Sequence, residues 1–491
     1  MNAATSPWLS VDAVLRVTGG RLWKPEGGAP GARPSVASGA SIGFTACAID
    51  SRALTGGELF VPLPGTRADG HAFVAAALEA GAAGSLARRG WSVPASIAGT
   101  GKPIVEVEDP LAALQTLGAH CRERADLPVV AVTGSNGKTT TKEMIAAILA
   151  TGRRVHRNMG NLNNHIGVPL TLTWLRPEHE VLVVELGMSA PGEIATLASL
   201  ARPGVGVLTN AGPAHLEQLG SLEAVARAKS ELAEALPPSG LLVLNADDPL
   251  LWPMNRNRPV RKRSYGLDNA DADLRPTRVD QTAAGGTRFS LPGGPDVQLA
   301  LLGRHNVRNA LAALLVGDEF GVPRAAAAGA LAAMEPPKHR LELLQAGGIS
   351  ILDDAYNANP SSMAEALALL GSIETRGTRR AVLGDMLELG PTAEALHEET
   401  GRRVPPDAWL YAAGSFAAAL GRGAASAGVP AARIRRFDDV SAMAAAVSAD
   451  ARPGDLVLVK ASRGMRLERV VEALTGGGAG LTGGLARAGR N

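Results

Sequence analysis

A continuous apolar run, Leu127-Pro-Val-Val-Ala-Val132, leads directly into Thr133-Gly-Ser-Asn-Gly-Lys-Thr-Thr-Thr141 and then into a stretch rich in Ala, Ile and Leu. Strand, glycine turn and helix in that order restrict the fold severely, because the turn must fit between a buried strand and the helix it opens. Gly134 and Gly137, with Ser135 and Asn136 between them, let backbone N–H groups close around phosphate oxygens. Lys138 brings a point charge, Thr139 offers a hydroxyl to Mg²⁺, and Thr140 continues the helix start. The segment points to ATP as its ligand; a plain glycine-rich turn is the alternative. One departure from the general pattern of such loops is Val132, which stands where a first glycine is usual and leaves a shorter Gly-x-x-Gly-Lys-Thr core.

A chain of 491 residues has room for about three domains, and 46% apolar content with 20% charge is ordinary for chains that bury full cores. A net charge of +2 and 3% aromatic content argue against a nucleic-acid polymer as partner, which would need a basic stripe interleaved with stacking rings. Only Cys47 and Cys121 occur, without a Cys-x-x-Cys pair, so neither a disulfide framework nor a zinc site is expected. Met1 to Arg16 lacks a basic start followed by an apolar core, and no run of eighteen or more apolar residues exists. The expectation is a cytoplasmic chain without a membrane span.

The fold class expected is α/β in three domains. Residues 1–108 mix short β-like runs, such as Gly57-Gly-Glu-Leu-Phe-Val-Pro-Leu63, with one helical stretch, Ala72 to Gly81, and read as a small α/β domain. Residues 109–334 alternate helix with apolar strands at Glu180–Glu185, Gly204–Thr209 and Gly240–Asn245, the signature of a parallel sheet covered on both faces. Within them, the polar and glycine-rich Asn269 to Pro295 predicts exposed β-hairpins. Glu335-Pro-Pro-Lys338 is a linker, since adjacent prolines cannot continue a helix. Residues 335–474 alternate Ala-rich helices with strands at Ser350–Asp353, Arg380–Gly384, Trp409–Ala412 and Asp455–Lys460, which predicts a Rossmann-like sheet. The Gly-rich 475–491 reads as a disordered tail.

Three further residues fall where a parallel sheet meets its ligands. Glu185 ends a strand, His215 lies in the loop Thr209-Asn-Ala-Gly-Pro-Ala-His-Leu-Glu217, and Lys229 sits on the helix that follows. Each alone is as readily structural or solvated. Together with Thr133–Thr139 they resemble the Mur ligases, ATP-dependent amide-forming enzymes of peptidoglycan precursor synthesis. The resemblance extends over nearly the whole chain. It is strongest toward the dipeptide-adding branch of that family, through Asn161-Leu-Asn-Asn-His-Ile-Gly-Val-Pro169, Asn210–His215, Asp353-Asp-Ala-Tyr-Asn-Ala-Asn-Pro360 and Leu383-Gly-Asp-Met-Leu-Glu-Leu-Gly390.

The resemblance implies that ATP phosphorylates a carboxylate of a UDP-N-acetylmuramoyl-tripeptide and that the amine of D-alanyl-D-alanine displaces the phosphate. Lys138, His215 and Lys229 would be catalytic. Thr139, Glu185, His215 and Lys229 would hold two Mg²⁺ ions, with Lys229 carbamylated so that it meets the metal as an anion. Asn306 and Asn309 would read the adenosine, although Asn306 could instead cap its helix. Arg340 would reach the ATP phosphates, and Asp354 the ribose unless it merely forms a turn. Tyr356, Asn357 and Asn359 would shape the adjoining site. Ser51 and Arg52 would grip the UDP-sugar, as would the Gly65–His71 segment, against a surface β-turn as the alternative. Lys460, Ser462 and Arg463 would meet the dipeptide carboxylate, with helix capping by Ser462 the other reading. A monomer is expected, and three domains joined by short linkers suggest open and closed forms, Arg340 and Asp354 arriving on closure. Another ligase of the superfamily, such as the enzyme adding the third residue or folylpolyglutamate synthetase, and a non-catalytic P-loop switch are the competing readings.

Overall fold

The computed structural model describes residues 8–24, 43–65, 68–282 and 286–476; the sequence readings that fall on Thr66, Arg67 and most of the 475–491 tail lie outside them. At the centre is a six-stranded, all-parallel sheet in the spatial order Arg261–Tyr265, Leu241–Asn245, Val205–Leu208, Val129–Thr133, Val181–Glu185, Val155–Arg157. Its strands are apolar on both faces, as expected. Val130, Val132, Val183, Val207 and Val243 enter one core, whereas Val129, Ala131, Val184, Leu208 and Leu244 enter the other. The loop-bearing strand lies between Val181–Glu185 and Val205–Leu208, where the chain crosses from one side of it to the other, so its carboxyl end is a topological switch point, where ligands meet open α/β sheets.

A second six-stranded sheet follows the linker, in the order Glu342–Ala346, Ile349–Asp354, Leu456–Lys460, Arg379–Leu383, Trp409–Ala413, Ile434–Phe437. All pairs are parallel except the first, which is an antiparallel hairpin. The first and last of these strands were not anticipated; both are edge strands with few fully buried residues. At the N-terminal end is a five-stranded sheet in which three strands are only two residues long, Leu59–Phe60 among them. The helical stretch expected over Ala72–Gly81 is a 3₁₀ turn, Gly70–Phe73, running into the helix Val74–Glu79, and a further helix, Val11–Thr18, was not expected. The helix Pro110–Ala125 buries Leu114, Leu117 and Cys121 in the N-terminal core, and Thr173 and Trp174 hydrogen-bond the backbone of Cys47. The N-terminal sheet is thereby stitched to the central one. Both cysteines are unpaired and buried, and burial pushes the Cys47 thiol up to about 12.

The Asn269–Pro295 region corrects one expectation. It forms a three-stranded antiparallel sheet, Arg278–Gln281, Thr287–Ser290 and Asp296–Leu299, yet this is no exposed appendage. Phe289, Leu291, Val297 and Leu299 line its inner face and join the core under the helices Arg304–Glu319 and Arg324–Ala333. The alternation that looked polar is one wet face and one dry face. No helix among the described residues is long and apolar enough to cross a membrane.

Phe289→Ala is expected to destabilise the protein by about 3–5 kcal/mol in urea unfolding, the range for emptying a buried aromatic site, whereas Phe73→Ala, at a position 45% exposed, changes it little. Equal midpoints for the two variants would show that the small sheet is not part of the core.

Candidate functional site

The phosphate loop is pinned from the side. Ser135 N–H donates to the Asn210 carbonyl at 2.8 Å and Asn136 N–H to Asn210 Oδ1 at 2.9 Å, while Thr209 Oγ1 and Asn210 Nδ2 donate to the Asn136 carbonyl at 2.6 and 3.0 Å. Two glycines make this approach possible. Gly134 has φ +155°, and a Cβ there would lie 1.8 Å from Thr209 Oγ1; Gly137, at φ +78°, caps the helix Lys138–Leu149, and a Cβ there would lie 2.4 Å from Asn309 Oδ1. Val132, the departure from the general pattern, is a buried strand residue paired beside Glu185, so the shorter loop follows from a longer strand. Lys138 Nζ donates to the carbonyls of Gly134 and Ser135 at 2.8 and 3.2 Å. Burial lowers its pKa, Arg340 adding to the effect and Glu185 opposing it.

Glu185 ends the neighbouring strand and is 2% exposed. Its Oε2 accepts from Thr139 Oγ1 at 2.7 Å and its Oε1 from Asn163 Nδ2 at 2.7 Å, so both oxygens are oriented. Lys229, also 2% exposed, opens from the helix Leu222–Glu234 into the same cleft. Burial, with the Lys138 ammonium adding to it, holds its amine well below the ordinary lysine range. His215, in left-handed backbone at φ +57°, has Nδ1 2.5 Å from Glu388 Oε2, and that ring holds the Glu388 carboxyl below its usual range against the effect of burial.

On the far wall, Asn306 and Asn309 lie in the first turns of the helix Arg304–Glu319. Asn306 does not cap it: Gly303 holds that position, and the Asn306 amide donates to the Leu302 carbonyl at 2.8 Å and accepts from Asn309 Nδ2 at 3.1 Å. The C-terminal domain supplies the lid. Arg340, between His339 and Leu341 at φ +60° and +51°, stacks its guanidinium 4.2 Å over the Tyr356 ring, which also carries Arg463 at 5.6 Å. Asn359 caps the helix Pro360–Ser372, and its amide exchanges hydrogen bonds of 2.7 and 3.3 Å with Asn136 of the phosphate loop. Asp354 is not a turn former; it meets Lys460 Nζ at 2.6 Å, and the turn is served by Asp353, which accepts from Ala355 N–H at 3.2 Å. Lys460 also donates to the Asn357 carbonyl at 2.9 Å, so the ammonium expected to meet a dipeptide carboxylate is already paired inside the protein. Ser462 stands at the N-cap of the 3₁₀ turn Arg463–Met465, but its side chain makes no capping bond: its hydroxyl accepts from Leu387 N–H at 2.9 Å and donates to the Ala358 carbonyl at 3.3 Å.

These side chains enclose one cleft of about 580 Å³ between the central and C-terminal sheets. Of the residues singled out from the sequence, Ser51 and Arg52 do not reach it. They form a 3₁₀ turn capped by Asp50, and Arg52 is committed to that carboxylate at 2.9 and 2.6 Å, the local geometry of the surface-turn reading. Asn163 and Glu388 line the cleft and were not singled out, although both lie in motifs quoted above; an amide run before Gly167 and a carboxylate in a glycine-bounded turn were the available signals.

A phosphate loop at the carboxyl edge of one parallel sheet, roofed by the carboxyl edge of another, defines a nucleotide-using enzyme that works between domains. The descriptions "Mur ligase family, catalytic domain", "Mur ligase middle domain" and "Mur ligase, glutamate ligase domain" match residues 44–122, 132–317 and 339–463. The chain belongs to the Mur ligase family. It is 41% identical over 431 residues to the UDP-N-acetylmuramoyl-tripeptide–D-alanyl-D-alanine ligase of Bacillus subtilis, covering 87% of this chain and 92% of that one. Among solved structures it is similar to MurF from Acinetobacter baumannii, with a TM-score of 0.81 at 29% identity over 96% and 99% of the two chains. It is also similar to MurF from Thermotoga maritima in complex with ADP, with a TM-score of 0.72 at 29% identity over 88% and 97%.

Gly134→Ala forces Thr209 and the loop apart and is expected to weaken ADP binding about tenfold to a hundredfold, the cost of a few kcal/mol of displaced backbone. Titration calorimetry with ADP checks this, and unchanged affinity would mean that the loop does not hold the phosphates.

Proposed function

We propose that the protein is an ATP-dependent ligase that joins D-alanyl-D-alanine to UDP-N-acetylmuramoyl-tripeptide, working in the cytoplasm as a monomer and serving cell-wall synthesis. The observation that carries this reading is the convergence of Lys138, Glu185, His215, Lys229 and Arg340 on one cleft closed between two domains. A carboxylate is a poor electrophile, so ATP must first convert it to an acyl phosphate: a carboxylate oxygen attacks the γ-phosphorus and ADP leaves. The dipeptide amine then adds to the acyl carbon, loses a proton, and expels phosphate. Anions have to be brought together, and concentrated positive charge makes that possible.

The chain's own groups divide that work. Lys138 turns its ammonium over the loop where β- and γ-phosphates would lie, and Arg340, held by the Tyr356 ring, approaches from the lid. Asn306 and Asn309 offer amide edges to the adenine, and the Asn136–Asn359 pair shuts the cleft over the loop. Thr139 and Glu185 present adjoining oxygen donors of the type Mg²⁺ takes, and no group of three or more His, Cys, Asp or Glu side chains among the described residues is built to hold a metal alone. That donor set fits an ion shared with substrate phosphates. Bound by Thr139 and Glu185, and at a second position by His215 and Lys229, Mg²⁺ would screen the reacting anions. Lys229 suits that place as a carbamate. Burial disfavours its ammonium form, and the free amine can add to CO₂ with loss of one proton, leaving an anionic carbamate. Tyr356, Asn357 and Arg463 border the side from which the dipeptide would enter, while Lys460 and Ser462 fix that wall from behind.

Phosphate release from ATP is expected to require both the muramoyl tripeptide and D-alanyl-D-alanine and to yield the pentapeptide by mass; ATP turnover without amide product would favour a P-loop switch. Lys229→Ala should lose nearly all of this activity and recover part of it with added short carboxylates such as acetate. An undiminished rate in the variant would remove Lys229 from the mechanism.

A further inference from the structure

His215 and Glu388 come from different domains, and the 2.5 Å between Nδ1 and Oε2 is the closest approach of a basic nitrogen to a carboxylate across the cleft among the described residues. The turn that carries Glu388 is held on every side. Met386 N–H donates to Nε2 of the buried His397 at 2.8 Å, and His397 Nδ1 lies 2.6 Å from the Ala393 carbonyl. Leu387 N–H is taken by Ser462 Oγ, and Asp385 accepts from Ser415 N–H and Phe416 N–H at 2.8 and 3.0 Å. Opposite, Glu217 N–H donates to the Glu388 carbonyl at 3.2 Å, and Gly390, at φ +59°, passes so near that a Cβ there would lie 3.2 Å from Glu217 Cα. Main chain and side chain of Glu388 therefore dock together on the His215–Glu217 corner.

Fold stability does not account for this arrangement. Both side chains are partly exposed, where a paired imidazole and carboxylate contribute little, yet His215 and Glu388 both occupy left-handed backbone that non-glycine residues adopt at a cost. A contact that returns no more than it costs is kept for what it positions. We propose that Glu388 is a positioning residue: it latches the C-terminal domain onto the central one and, by engaging Nδ1 of His215, turns the other ring nitrogen toward the reacting groups. Closure and the orientation of His215 then become one event. The orienting half of this statement rests on the ligase reading; the latch does not.

Small-angle scattering of the full chain tests the latch, with a non-hydrolysable ATP analogue and magnesium titrated in. Glu388→Ala is expected to need roughly fivefold more analogue than the wild type to reach the same compact radius, the upper range for a half-exposed ion pair. Glu388→Gln, which keeps an acceptor, should fall between them. His215→Ala should shift the curve similarly, and the double variant should add nothing further, because the two residues act as one unit. A Glu388→Ala chain as compact as the wild type at every concentration, or shifts that simply add in the double variant, would overturn the proposal. Amide formation by the wild type is scored separately: if it fails, the ligase reading falls while the scattering still decides the latch.

Discussion

Lys138 and Lys229 bury two amines on the same cleft wall, and each is destabilised as a cation by burial, with a neighbouring positive charge adding to it. Glu185 is the one carboxylate that opposes this at Lys138, and both of its oxygens are already taken by Thr139 and Asn163. Removing charge from water without a partner is costly. A fold that maintains this imbalance at its switch point is organised around anions that arrive from outside. The pinned loop, the amide pair that closes over it and the arginine lid all serve to gather those anions and keep water from them.

How much of this could be read in advance depended on sequence distance. The phosphate loop was legible because every part of it is local: glycines that the backbone needs, a lysine and a threonine at fixed offsets, an apolar strand before them. Asp354 and Lys460 each stand out in the sequence, but their pairing does not. They are direct neighbours across two parallel strands, and only the register, with Asp354 opposite Lys460, reveals that one neutralises the other. Once they are paired, the charge of Lys460 is met inside the protein by Asp354. The helix-cap reading fails for Asn306, and for Ser462 it holds for the backbone position but not for the side chain, for a related reason. Both residues sit where a cap is plausible, but nearby carbonyls and loop N–H groups from other segments compete for the side chain and win.

The misread region Asn269–Pro295 shows the opposite limit. Its composition is polar, and composition alone suggests exposure. Every second residue along Thr287–Ser290 and Asp296–Leu299 nonetheless points into the core, and four apolar side chains are enough to make the sheet a wall of the domain. In the N-terminal domain three of the five strands are only two residues long, too short to display any period. There the turn of Ser51 and Arg52 is ambiguous in the sequence, and in the structure Arg52 pairs locally with Asp50.

Backbone strain marks the moving parts. Left-handed conformation at a non-glycine residue costs about 1 kcal/mol or more, and it persists only where surrounding contacts compensate. Seven such residues are found among those described; four of them, His215, His339, Leu341 and Glu388, line the cleft or flank Arg340 where the linker meets the lid. His339 is held by the buried Asp353, 2.7 Å away, whose own carboxyl is raised by burial, and Leu341 is packed into the core of the C-terminal domain. The strain is thus offset within that domain, by contacts that do not depend on the central sheet. A lid whose shape is fixed beforehand loses little freedom on docking, and the contacts it makes across the cleft can go into holding the phosphate loop and its anions rather than into ordering the lid itself.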